Sequence, residues 1–186
     1  HVAEQPFITD IFPLGGRVGE ETVVTVKGWN LPEERLTLDT RPEGGSIRRA
    51  EMRHGDWLSN GVPYAVDTLP ESLETEPNDG PDRAQKVDLP VILNGRIDAP
   101  GDEEVFRFQG RAGTEVVVEV LARRLRSPLD SVVWLTDDAG KVVAWNDDFE
   151  RTEGFLRTEP GAVTHHADSY LRAKLPRDGD YFVRLA

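Results

Sequence analysis

Four side chains with oxygen donors fall within a short run at Glu74, Glu76, Asn78 and Asp79. In an extended segment Glu74, Glu76 and Asn78 project to the same side, and Pro77 stiffens the backbone between them. Asp102 and Glu104, again two residues apart, offer two further carboxylates from a separate stretch. A calcium ion takes about six to eight oxygen ligands, so Glu74, Glu76, Asn78, Asp79, Asp102 and Glu104 form a candidate metal site. The Pro-Asn-Asp-Gly run also suits an ordinary turn in which Asn78 and Asp79 bond nearby amides. The residues by themselves leave both readings open.

A second acidic set comprises Asp130, Asn146, Asp147, Asp148 and Asp168, with His165 and His166 nearby in the chain. If 132–145 close as a hairpin, Asp130 and Asn146 share its open end, where a second cation could sit. Turn hydrogen bonds from Asn-Asp-Asp and Asp-Ser are the alternative. The adjacent histidines would point to opposite sides of a strand, and the chain has no His-Glu-x-x-His helix, so zinc catalysis is not expected. A Gly-x-Ser-x-Gly elbow is also missing. Asp130, Ser131 and His165 make a triad on paper only, and an enzyme is not expected.

Composition narrows the partners. The 34 acidic against 22 basic residues give a formal charge of −12, which disfavours nucleic-acid phosphates and anionic lipid and suits divalent cations. Without cysteine there is neither a disulfide framework nor a thiolate ligand. No apolar run approaches the ~18 residues of a membrane span, so membrane insertion is not expected. The chain opens at His1 with no signal-peptide pattern, as expected of a segment of a longer precursor. Arg123, Arg124 and Arg126 read as a solvated face.

The elements that must position these residues are short strands. Val24 and Val26 alternate with Thr25 and Lys27, Leu36 and Leu38 repeat the pattern, and 47–52 and 62–66 are weaker strands. The polar, Pro- and Gly-containing stretch 67–83 marks a boundary near residue 70. Beyond it Phe106 and Phe108 alternate, and Val116 to Leu121 form a β-branched run suited to a buried strand. Asp137-Asp138-Ala139-Gly140 predicts a hairpin between 132–135 and 141–145. The alternating stretches 171–175 and 181–185 flank Pro176 to Asp180 as a second hairpin. Of Trp29, Trp57, Trp134 and Trp145, Trp134 and Trp145 lie in apolar strands and are expected in a core. The pattern is all-β, with two β-sandwich modules over 1–70 and 71–186.

Two resemblances sharpen this expectation. Pro6 to Phe12, the Pro13-Leu14-Gly15-Gly16 turn and Val23 to Lys27 leading into Gly28-Trp29-Asn30-Leu31 resemble the opening of an IPT/TIG immunoglobulin-like domain. The second half carries Glu76-Pro77-Asn78-Asp79, Ala84, Asn94-Gly95-Arg96-Ile97 and Gly101 to Phe108. It continues with Leu129-Asp130-Ser131, Asp138-Ala139-Gly140, Asn146-Asp147-Asp148, Asp168-Ser169 and Gly179 to Val183. In that order these resemble the bacterial pre-peptidase C-terminal (PPC) domain, a jelly-roll-like β-sandwich often appended to secreted proteases.

The resemblance implies a noncatalytic accessory segment of a larger exported bacterial protein, extracytoplasmic in location. Its expected roles are spacing, support of folding or secretion, or binding to a partner surface. The partners would be other domains of the parent chain, an extracellular protein or a polysaccharide. A carbohydrate- or matrix-binding module is the alternative, ahead of a hydrolase. Calcium is the implied cofactor, with Glu74, Glu76, Asn78, Asp79, Asp102 and Glu104 at the ligand positions, and its first ligands lie in the stretch joining the two modules. Two departures stand out: Glu104 replaces the usual aspartate, and a further strand usual in such domains would lie beyond Ala186.

Overall fold

Val24 and Val26 turn inward and Val23, Thr25 and Lys27 outward in the computed structural model, which describes residues 4–149 and 167–186. The same half-buried alternation recurs along the chain, and the fold is all-β. The strands are β1 Phe7–Phe12, β2 Gly15–Arg17, β3 Val23–Trp29, β4 Arg35–Thr37, β5 Ile47–Ala50, β6 Arg53–His54, β7 Trp57–Leu58, β8 Val62–Asp67 and β9 Glu71–Leu73. They continue with β10 Gln85–Lys86, β11 Ile92–Asn94, β12 Glu104–Gly110, β13 Glu115–Glu119, β14 Val133–Asp137, β15 Val142–Asn146, β16 Tyr170–Lys174 and β17 Gly179–Leu185. A single 3-10 turn, Arg123–Leu125, interrupts the series among the described residues. No helix among these residues is long and apolar enough to cross a membrane.

The chain divides into two compact units, one of His1–Leu73 with Ile92–Asn94, the other of Glu74–Val91 with Gly95–Ala186. In the first, β1-β3-β4 and β2-β8-β5 form two three-stranded sheets. Ile8, Ile11, Val24, Val26, Leu38, Met52, Val62, Tyr64 and Val66 form the core. The buried Tyr64 hydroxyl donates to the Asp39 carbonyl at 3.1 Å, satisfying its polar end. Asn94 in β11 is buried and tied into this unit, accepting from Leu14 N and donating to Glu71 Oε2.

In the second unit β10-β12-β17-β14-β15 make a five-stranded sheet and β13-β16 a second, two-stranded one. Val105, Phe106, Phe108, Val116, Val133, Leu135, Leu171, Leu175 and Tyr181 are buried. The Phe108 and Tyr181 rings stack with centroids 5.8 Å apart. The β14–β15 hairpin forms as the sequence predicts, with Val133 opposite Asn146. Its turn is closed by Asp137 Oδ1, which accepts from Ala139 N and Lys141 N, and Gly140 supplies the positive φ of 74°.

Several local expectations fail: Val117, in the run expected as a buried strand, is 50% exposed, and Trp134, expected in a core, lies on the opposite face of β14 from the buried Val133 and Leu135. Strands 170–174 and 179–185 do not pair with each other: β16 pairs with β13, and β17 lies between β12 and β14. Between them the Tyr181 hydroxyl donates to the Arg177 carbonyl, folding the connection over the ring as a crossing from one sheet to the other. The Arg123–Arg126 cluster is not uniformly solvated, because Arg124 reaches inward to Asp168 at 2.8 Å and Glu119 at 2.7 Å. Finally, Trp145 is 58% exposed. It lies on β15, the last strand of its sheet, so apolar chain neighbours do not place it in a core.

Candidate metal centre

Strand β12 carries Glu104, Phe106 and Phe108 opposite Leu185, Val183 and Tyr181 of β17. The alternation that buries the two phenylalanines therefore also buries Glu104, which is 1% exposed. Asn78 is wholly buried beside it. The Asn78 carbonyl accepts from Val105 N at 3.1 Å, and Asn78 Nδ2 donates to Glu104 Oε2 at 2.7 Å. These two bonds fasten the 74–79 segment to the start of β12.

Three of the remaining carboxylates are oriented by backbone amides. Glu76 Oε2 accepts from Asn78 N at 2.9 Å. Both Glu74 oxygens accept from Arg96 N at 2.9 Å. Asp102 Oδ2 accepts from Asp98 N at 2.6 Å within the 98–102 turn. Glu74, Glu76 and Glu104 each bring a carboxylate oxygen within 4.8 Å of the others, as do Glu76, Asp79 and Asp102. Glu76 belongs to both groups, so the inner, buried set and the outer, more exposed set are contiguous. All six residues lie in the second unit.

Two buried oxygens, Asn78 Oδ1 and Glu104 Oε1, have no hydrogen-bond partner. A buried acceptor left this way costs roughly 1–3 kcal/mol, more when charged. Burial pushes the Glu104 carboxyl up to about 8; the Asn78 hydrogen bond opposes this, while a hydrogen bond from the protonated carboxyl to Glu74 and the charges of Glu74 and Glu76 add to it. The arrangement is thus short of positive charge and rich in oxygen. A hard divalent cation fits that donor set, which has no nitrogen or sulfur ligand to favour zinc. The Asn78 side chain also caps no neighbouring amide, unlike the turn alternative, since its amide nitrogen goes to Glu104 and its oxygen to nothing.

Sequence reasoning missed the part played by Gly95 and Arg96. A Cβ at Gly95 would stand 2.5 Å from Glu74 Oε2 and 3.7 Å from Glu104 Cδ. Only a residue without a side chain lets the Glu74 carboxylate settle against Arg96 N. The Asn94-Gly95-Arg96 motif was the available signal, but nothing in it points to residue 74.

The second acidic set is dispersed into other tasks. Asp168 is 1% exposed, and its Oδ1 accepts from Ala122 N and Arg123 N while its Oδ2 accepts from Arg124 N and Nε. That carboxylate is committed to holding the Arg123–Leu125 turn. Asn146 Nδ2 donates to the Asp148 carbonyl and Asn146 Oδ1 accepts from Tyr170 N. Asp130, Asp147 and Asp148 are exposed. Among the described residues, no three carboxylates of this set gather as those of the first do. Ser131 is fully buried, and its hydroxyl bonds to Ser169 and the Ala167 carbonyl, a structural role. His165 and His166 lie outside the described residues.

Fold and site together define an all-β protein whose second unit carries an oxygen-rich, carboxylate-dominated centre. No family model matches the chain. It is 32% identical over 149 residues to a probable subtilase-type serine protease of Deinococcus radiodurans, a match covering 75% of this chain and 18% of the relative. The chain therefore corresponds to a minor part of that protein's length.

Proposed function

We propose that this chain is a noncatalytic accessory segment of a larger, exported protein of the subtilase-type protease kind, and that its second unit binds calcium. The observation that carries the calcium reading is the pair of orphaned buried oxygens, Asn78 Oδ1 and Glu104 Oε1, in a carboxylate cluster with Glu74 and Glu76. A bound cation would give both oxygens a partner and offset the repulsion among the carboxylates. Glu74, Glu76, Glu104 and Asn78 would hold it, with Asp79 and Asp102 extending the shell outward. In this reading the second unit is a PPC-type β-sandwich and the first an IPT/TIG-type spacer. The limited share of the relative that the chain matches supports an appended role. The buried, fully bonded Ser131 gives no support to a hydrolase.

Titration of the chelator-treated chain with calcium and, separately, magnesium tests this, read by calorimetry and thermal unfolding. Saturable calcium binding with a rise in the melting temperature of the second unit is expected. Magnesium should be weaker, because it demands a tighter octahedral shell. Absence of a calcium-dependent shift would remove the metal from the reading and leave the accessory role to be judged on proteolytic activity of the isolated chain, expected to be nil.

A further inference from the structure

At the end of the β14–β15 hairpin, Trp145, Asp147, Asp148, Phe149 and Tyr170 line an open cavity of about 320 Å³. Trp145 is 58% exposed. The Phe149 ring meets the Tyr170 ring edge-on, with centroids 5.2 Å apart, which holds Tyr170 as a wall of the cup. Asn146 also lines the cavity, but both ends of its amide are spent on Tyr170 N and the Asp148 carbonyl.

We infer that this cup binds the cationic side chain of an arginine or lysine presented by a peptide. Aromatic ring faces carry negative electrostatic potential and attract cations placed over them. Here an exposed indole and a tyrosine ring stand beside two exposed aspartates, so π-face and carboxylate draw the same kind of group. The same preference for cations over aromatic rings is already realised once on this sheet, where the Arg184 guanidinium lies 4.7 Å from the Trp134 ring centroid. Trp134 pairs across the strands with Trp145. The chain's charge of −12 would steer a basic peptide toward it. A neutral sugar is the weaker fit, because the two aspartate charges that line the cup favour a cation. This site is separate from the carboxylate centre at Glu74–Glu104 and does not depend on it.

The test is a titration of the intact, isotopically labelled chain with the blocked peptide acetyl-Gly-Arg-Gly-amide, followed through the Trp145 indole N–H resonance. That resonance is assigned by its disappearance in Trp145→Phe. A saturable shift is expected, weakened at least about tenfold when citrulline replaces arginine, in D147N/D148N, and in high salt. The aspartate variants are surface changes that leave the fold intact, so the result can be read. The proposal is overturned if the arginine peptide gives no saturable shift. It is equally overturned if citrulline or the aspartate variant binds as well, or if cellotriose shifts the resonance and the peptide does not.

Discussion

Replacing Glu104 by glutamine should make the metal-free protein more stable and abolish its response to calcium. In the folded chain without metal the Glu104 carboxyl holds its proton up to about pH 8, whereas an unfolded glutamate releases it near ~4.3. Between those values the folded state binds more protons, so stability falls as pH rises, and the loss is complete above the folded value. At about 1.4 kcal/mol per pH unit the full loss is on the order of 3–5 kcal/mol. Glutamine is neutral at every pH. Its oxygen can still accept from Asn78 Nδ2, and its amide nitrogen can donate toward Glu74 as the protonated Glu104 carboxyl does, but at every pH. In chelator at pH 8 the transition of the second unit should therefore rise by on the order of 10 °C in Glu104→Gln. The slope of melting temperature against pH between 5 and 8 should flatten. In calcium the gap narrows: the wild-type chain gains about 2.7 kcal/mol at a hundredfold excess over Kd, and the variant, lacking a central carboxylate, gains little. Melts in chelator and in calcium across that pH range decide the matter. A variant no more stable than wild type at pH 8 without metal, or one that calcium still stabilises equally, would refute the reasoning.

Gly95→Ala places a Cβ 2.5 Å from Glu74 Oε2 and must displace that carboxylate from Arg96 N. Calcium affinity measured by calorimetry should fall at least about tenfold, about 1.4 kcal/mol or more. Asp168→Ala removes the acceptor of four protein hydrogen bonds and leaves Arg124, only 16% exposed, without its buried partner. Urea unfolding should show a loss of about 3–5 kcal/mol in the second unit, while the calcium Kd of the surviving folded fraction stays unchanged.

The all-β class was readable because burial alternates with the backbone: Val24 and Val26 in β3, Val133 and Leu135 in β14. The β14–β15 hairpin was readable for a similar reason, since Asp137 and Gly140 close it within a few residues. Partnership between distant strands was not. The alternation of β16 and β17 says that each has an inner face and nothing about which sheet each joins, and nearness in sequence suggested a hairpin the structure does not contain. Trp145 failed differently. Its apolar neighbours indicate a strand, but whether a strand's outer face is covered depends on its place in the sheet, and β15 is at the end.

The same distinction separates the two acidic sets. Carboxylates at Glu74, Glu76, Asp102 and Glu104 and those at Asp130, Asp147 and Asp168 look alike as residue types; what divides them is how many protein donors reach each one. Asp168 meets backbone amides of Ala122, Arg123 and Arg124 and the Arg124 side chain, so its charge is balanced within the protein. Glu104 meets one amide nitrogen and two other carboxylates, so its charge is not. A carboxylate buried against its own kind is costly unless it is protonated or shares a cation. The proton serves up to about pH 8; in the proposed reading a cation takes its place above that. At the buried start of β12 Asn78 Nδ2 donates to Glu104 Oε2 at 2.7 Å, and no protein donor reaches Glu104 Oε1, which is the oxygen the proposed cation would take.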